Sequence, residues 1–134
     1  MARNNLFDLT GRSALVTGAA GGIGAAVAEA LAAAGAAVLV TDIDPDAAAA
    51  VAERITVGGG KADSVGLDVR DRGAAEAAAA RAAGFTEGSL HILVNNAGVT
   101  EPAMFKDLEI ESVQKMLDIH LLEKDAAVCD GVQF

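Results

Sequence analysis

Residues 17–24 read TGAAGGIG, and three of the glycines, Gly18, Gly22 and Gly24, stand where most chains carry side chains. The stretch follows the short apolar run SALVT at 13–17, which reads as a buried strand. It precedes an Ala-rich run at 25–34, helical by composition, with Gly35 placed as its C-terminal stop. A strand that turns through glycine directly into a helix must bring backbone close to something, because nothing else there fills the space. That constraint decides how the rest of the chain is read.

The pattern then repeats without the glycine cluster. AAVLVT at 36–41 is a second buried strand ending at Asp42, and Asp44 and Pro45 suit the N-cap and first position of a helix running to Arg54. Gly58, Gly59 and Gly60 break the chain, and a short strand at 63–67 ends at Asp68. Asp71 opens an Ala-rich helix to about 83, residues 91–94 form a fourth strand, and a last helix covers about 109–120. Strands alternating with helices predict an α/β fold with a parallel sheet and right-handed crossovers.

The strand, glycine turn and helix are the context that a dinucleotide fingerprint requires. Gly18 permits the tight turn, Gly22 lets backbone approach a pyrophosphate, and Gly24 lets helix and strand pack closely. The helix N-terminus offers unpaired N–H groups and a partial positive charge to phosphates. Asp42 follows at about the spacing, roughly 20 residues on, of an acid that bonds a ribose.

Composition excludes other classes. With 10 Lys and Arg against 19 Asp and Glu, the net charge of −9 leaves nothing to neutralise a row of phosphates, so nucleic acid is not an expected partner. The apolar stretch at 14–40 is interrupted by Thr17, glycines and Glu29, so no membrane partner is expected either. Cys129 is the only cysteine and the N-terminus lacks the apolar core of a signal peptide, which together predict a cytoplasmic protein.

The spacing of Thr17, Gly18, Gly22, Ile23 and Gly24 resembles that of the classical short-chain dehydrogenase/reductase family. The run Asn95, Asn96, Ala97, Gly98 at the end of the fourth strand is similar to the second signature of that family, and Asp68 with Val69 to its acidic dipeptide. The resemblance covers about residues 10–121. It implies a Rossmann-type doubly wound sheet in the order 3-2-1-4, truncated before the catalytic half, with residues 1–121 as the NAD-binding region and 122–134 as a divergent tail. It further implies that Gly18, Gly21, Gly22 and Ile23 wrap the pyrophosphate and that Asp42 bonds the adenosine ribose. Asp68 would touch the adenine amino group and Val69 the ring. Asn95 would support the sheet and approach the cofactor, with Ala97 and Gly98 leaving space beside the ribose. Relatives that prefer NADP carry a basic residue just before the second glycine or just after the second strand. Here those positions hold Gly21 and Ile43, and Asp42 would meet a 2′-phosphate as a like charge, so the expected cofactor is NAD.

The family reduces ketones or oxidises alcohols with a Ser, a Tyr and a Lys, the last two in a YxxxK pattern. This chain contains no tyrosine, and Ser13, Ser64, Ser89 and Ser112 all stand elsewhere. One further position is implied. MLDIHL at 116–121 resembles the family segment whose Asn completes a proton relay, and His120 occupies the Asn position. The expectation is dinucleotide binding without turnover, with an alcohol or ketone as substrate only in a full-length form. The alternatives are a non-catalytic nucleotide-binding module that pairs with full-length subunits and an inactive fragment. Self-association is expected through the fourth strand or through Val113, Met116, Leu117 and Leu121 of the last helix, which by resemblance form a dimer contact.

Overall fold

The computed structural model describes residues 6–99, 104 and 107–122. Its elements, in chain order, are β1 (Ser13–Val16), α1 (Gly22–Ala33), β2 (Ala37–Asp42), α2 (Pro45–Val57), β3 (Lys61–Gly66), α3 (Arg72–Ala83), β4 (Ile92–Val94) and α4 (Ile110–Leu117). The strands form one parallel sheet in the order β3-β2-β1-β4, the Rossmann-type order expected.

Alternation along β1 and β2 divides the core in two. Ala14 and Val16, with Val38 and Val40, pack against buried residues of α1 and α2. Leu15 and Leu39 point the other way, onto Ala75, Ala78, Ala79 and Ala82 of α3. A strand buried on both faces needs apolar residues at every position, which is why β1 and β2 read as continuous runs. The alanines of α3 let that helix lie close against the sheet. The backbone register Val16↔Val40 and Val16↔Val94 brings the C-terminal ends of β1, β2 and β4 side by side.

Several element ends differ from the sequence reading. α1 begins at Gly22, not at Ala25, so Gly22 and Gly24 belong to its first turn. β3 is displaced toward the N-terminus, to Lys61–Gly66, because Ala37 of β2 pairs with Lys61 and the ladder runs from there to Asp42 and Gly66. The last helix changes character after Leu117, where Asp118–Leu122 forms a wide π-helical turn. Asp44 caps α2 as expected, accepting from the N–H groups of Asp46 and Ala47 at 3.1 Å, with Pro45 at the first helical position. Asp71 caps α3 through the Ala74 N–H at 3.0 Å. The expectation of a divergent tail falls almost wholly on residues 123–134, outside the described residues.

Candidate functional site

The glycine turn is held from two sides. Gly18 has φ +61°, and a Cβ there would stand 2.6 Å from the Ala97 Cα. The turn therefore lies directly against the loop that follows β4. A Cβ on Gly24 would meet the Gly18 carbonyl oxygen, and the Asn96 side-chain nitrogen at 2.5 Å. Gly22 differs: its φ is +55° but the space where a Cβ would stand is open. Two of the three glycines thus answer to protein neighbours, and one faces empty space at a helix N-terminus.

Thr17 and Asn96 tie the two loops together. The buried Thr17 hydroxyl accepts from the N–H groups of Asn96 and Ala97, both at 3.1 Å. The Asn96 amide donates to the carbonyl oxygens of Thr17 at 3.1 Å and Gly18 at 3.0 Å. Asn95 is exposed, and the bonds that tie the two loops are carried by its neighbour Asn96. The doublet Asn95, Asn96 marks the place in sequence, but only the path of the loop beyond β4 decides which amide turns back toward β1.

Asp42 closes the other flank. Its Oδ2 accepts from the Ala20 N–H at 3.1 Å and its Oδ1 from the Asp44 N–H at 3.1 Å, so the carboxylate is fixed beside the turn. Asp68 ends the third strand's connection and is gripped by Arg70. Oδ1 accepts from the Arg70 backbone N–H and Nε, both at 3.0 Å, and Oδ2 from Nη2 at 2.7 Å. Those bonds from the Arg70 side chain hold the Asp68 carboxyl below its ordinary value against the opposing effect of burial, and the Arg70 N–H and charge add to the lowering.

These groups share one cleft at the C-terminal end of the sheet, the usual place for a ligand in an open α/β sheet. A cavity of about 260 Å³ is lined by Gly18, Asp42, Ile43, Asp68, Val69 and Ala97, with Gly98 and Ile119 also on its wall. Of the residues singled out by sequence, Gly18, Asp42, Ile43, Asp68, Val69, Ala97 and Gly98 are therefore brought together. Gly21, Gly22 and Ile23 stand at the adjoining N-terminus of α1, where Ile23 is 77% exposed, and Asn95 is not on the cavity wall. Arg70, Val99 and Lys115 line the same cavity and were not foreseen. Arg70 and Val99 directly follow the motifs that end at Val69 and Gly98, whereas nothing in its local sequence marks Lys115, because α4 reaches the cleft only through tertiary packing.

His120 lies outside that lining and acts on it from behind. Its ring rests on Gly98, where a Cβ would collide with it. Its Nε2 is 3.0 Å from the Val99 nitrogen and 2.7 Å from the Val99 carbonyl oxygen. One ring nitrogen can accept from that N–H or donate to that carbonyl, depending on the tautomer, but cannot do both. Nε2 is thus engaged with backbone, and only Nδ1 remains for a relay of the kind the resemblance implies.

A second, larger cavity of about 520 Å³ lies at the opposite end of α1 and α2, around Gly58, Gly59 and Gly60. It contains the exposed pair of Arg54 and Glu29 at 2.8 Å and shares none of the groups described above. Among the described residues no helix is long and apolar enough to cross a membrane, and no cluster of His, Cys, Asp and Glu could hold a metal ion.

Comparison with known proteins agrees with this geometry. The sequence model of the family described as short chain dehydrogenase matches residues 12–122. An oxidoreductase of Methylorubrum extorquens is 44% identical over 122 residues, covering 87% of this chain and 47% of the relative. A hydroxysteroid dehydrogenase structure from Escherichia coli superposes with a TM-score of 0.86 at 32% identity, covering 97% of this chain and 54% of that one. A gluconate 5-dehydrogenase from Burkholderia cenocepacia, solved with NADP and tartrate, gives 0.80 at 34% identity, covering 94% and 49%. The chain thus spans about half the length of the proteins it matches.

Proposed function

We propose, from the premise that this chain belongs to the short-chain dehydrogenase family, that it is the part of such an enzyme that binds a nicotinamide dinucleotide, with NAD preferred to NADP. The parent reaction is hydride transfer between NAD and an alcohol or ketone. The observation that carries the reading is the Asp42 carboxylate, fixed by the Ala20 N–H beside the glycine turn and on the wall of the cleft. The residues fit the group. Gly22 leaves open space at a helix N-terminus for a phosphate, and Asp42 is placed to accept from ribose hydroxyls. Asp68 offers an acceptor to an amino group, and Val69 an apolar contact for a ring.

Once bound, the dinucleotide supplies the hydride donor or acceptor of its nicotinamide ring. This chain's own contribution is binding and orientation. Gly18, packed on Ala97, keeps the turn and the β4 loop together, and Asn96 and Thr17 hold that arrangement by four hydrogen bonds. His120 fixes the loop through Val99. The chain contains no tyrosine to exchange a proton with a substrate oxygen, so the purified chain is expected to bind without turnover. A cytoplasmic setting belongs to the same reading and rests on the lone Cys129.

Titration calorimetry tests the proposal. NAD should bind more tightly than NADP, and Asp42→Ala should narrow the gap by relieving repulsion of a 2′-phosphate. NADP binding equal to or tighter than NAD would overturn the preference, and no binding of either would overturn the reading as a whole.

A second reading, self-association, is favoured by the edge of the sheet. Among the described residues β4 is paired only with β1, and on α4 Val113 is 37% and Leu117 43% exposed. An unpaired strand edge beside apolar side chains is a template for another chain. Light scattering that finds a monomer at high concentration would remove it.

A further inference from the structure

The grip of Arg70 on Asp68 has a consequence for which base the cleft accepts. An ionised carboxylate offers about four acceptor positions, two on each oxygen. Arg70 occupies three of them: its backbone N–H and Nε fill Oδ1, and Nη2 takes one on Oδ2. The guanidinium approaches as a planar fork with two parallel N–H groups, so it fixes the plane of the carboxylate as well as its charge. The backbone N–H from the same residue ties that plane to the chain. One acceptor position remains, on Oδ2, and Asp68 and Arg70 both line the cleft beside Val69.

We propose that Arg70 is a positioning residue for base recognition, holding Asp68 so that a single acceptor on Oδ2 faces the base and selects a purine carrying an amino group over one carrying an oxo group. This rests on the reading of the cleft as a dinucleotide site with the adenine at Asp68. An amino group can donate to the remaining position. An oxo group presents its own lone pairs to a carboxylate whose turning would break the bonds from Arg70, and is disfavoured. The Arg70 bonds that hold the Asp68 carboxyl below its ordinary value act in the same direction, since they favour the ionised form, which accepts and does not donate. With Arg70 removed, the side chain regains rotamer freedom and can swing from an oxo group into water, so selectivity should fall even though more acceptor positions are free.

The test compares the affinity of the purified chain for NAD and for its hypoxanthine analogue, in which an oxo group replaces the amino group, in the wild type, Arg70→Ala and Arg70→Lys. The wild type should prefer NAD by about tenfold, the low end for a hydrogen bond to a charged group. Arg70→Ala should compress that ratio to about twofold to threefold, and Arg70→Lys, which keeps the charge but not the fork, should recover less than half of the loss on a logarithmic scale. Equal weakening of both dinucleotides in Arg70→Ala would mean that Arg70 acts only through folding or net charge, and would overturn the proposal. Full recovery by Arg70→Lys would overturn it as well, by showing that charge alone suffices. A wild type that binds both equally, or neither, would overturn the adenine reading of Asp68 and the proposal with it. A wild-type preference that Arg70→Ala leaves intact would overturn the proposal alone.

Discussion

Gly18→Ala should destabilise the fold far more than its size suggests, and the reason is separable from the cofactor. At φ +61° an alanine stands in the left-handed region, which costs about 1–2 kcal/mol. Its Cβ would also stand 2.6 Å from the Ala97 Cα and 3.0 Å from the Ala97 nitrogen. Those are backbone atoms, fixed by the Thr17 hydroxyl and by Asn96, and cannot rotate aside. Overpacking of this kind costs about 1–3 kcal/mol, so the two effects together come to roughly 2–5 kcal/mol. For a chain of this size about 4 °C of melting temperature is lost per kcal/mol, giving a fall of roughly 8–20 °C. Gly22→Ala carries only the backbone cost, about 1–2 kcal/mol, because nothing lies within 4 Å of the new Cβ. Its loss of dinucleotide affinity should exceed what that instability explains. Gly21→Ala is the control: the residue is extended at φ −170° with open space around it, and should cost under about 1 kcal/mol, the small preference for glycine over alanine at an N-cap. Thermal melts followed by circular dichroism, without cofactor, decide the order. Gly18→Ala melting within about 2 °C of the wild type, or no better separated from Gly22→Ala, would refute the steric argument.

Asn96→Ala should cost about 1–3 kcal/mol by leaving the Thr17 and Gly18 carbonyls without their donors, whereas Asn95→Ala should fall within about 0.5 kcal/mol of the wild type, as read by urea unfolding. Low pH should weaken the fold through Asp63 as well as Asp68. Burial pushes the Asp63 carboxyl up, but the side-chain bonds from Arg81, the Ser64 N–H and the Arg81 charge outweigh it, so it sits below 3.8. A depressed acid contributes stability that is fully present above its unfolded value and is lost as pH falls through the folded one. The urea midpoint should therefore show no loss from Asp63 between pH 7 and 5 and a decline below about 4, small because the pair is exposed and such pairs contribute under about 1 kcal/mol. Asp63→Asn should lower the midpoint at pH 7 and flatten that decline.

Much of the sheet and part of the cleft were legible in the sequence because they depend on local chemistry. The runs SALVT and AAVLVT read as strands buried on both faces, and Asp44, Pro45 and Asp71 carry their capping roles in their own side chains. Gly18, Asp42 and Asp68 stand at strand ends, and in a parallel sheet strand ends converge, so their order along the chain already placed them together. Tertiary structure decided what depends on approach between distant segments. The ladder between β2 and β3 set the start of β3 at Lys61, since the polar edge strand has no apolar pattern of its own to set its register. The crossing of the β4 loop over the glycine turn chose Asn96 over Asn95, two identical residues that composition cannot tell apart. The packing of α4 brought Lys115 to the cleft and set Nε2 of His120 against the backbone of Val99. A side chain's partner 21 residues away is set by where the two segments meet, and no local pattern encodes that meeting.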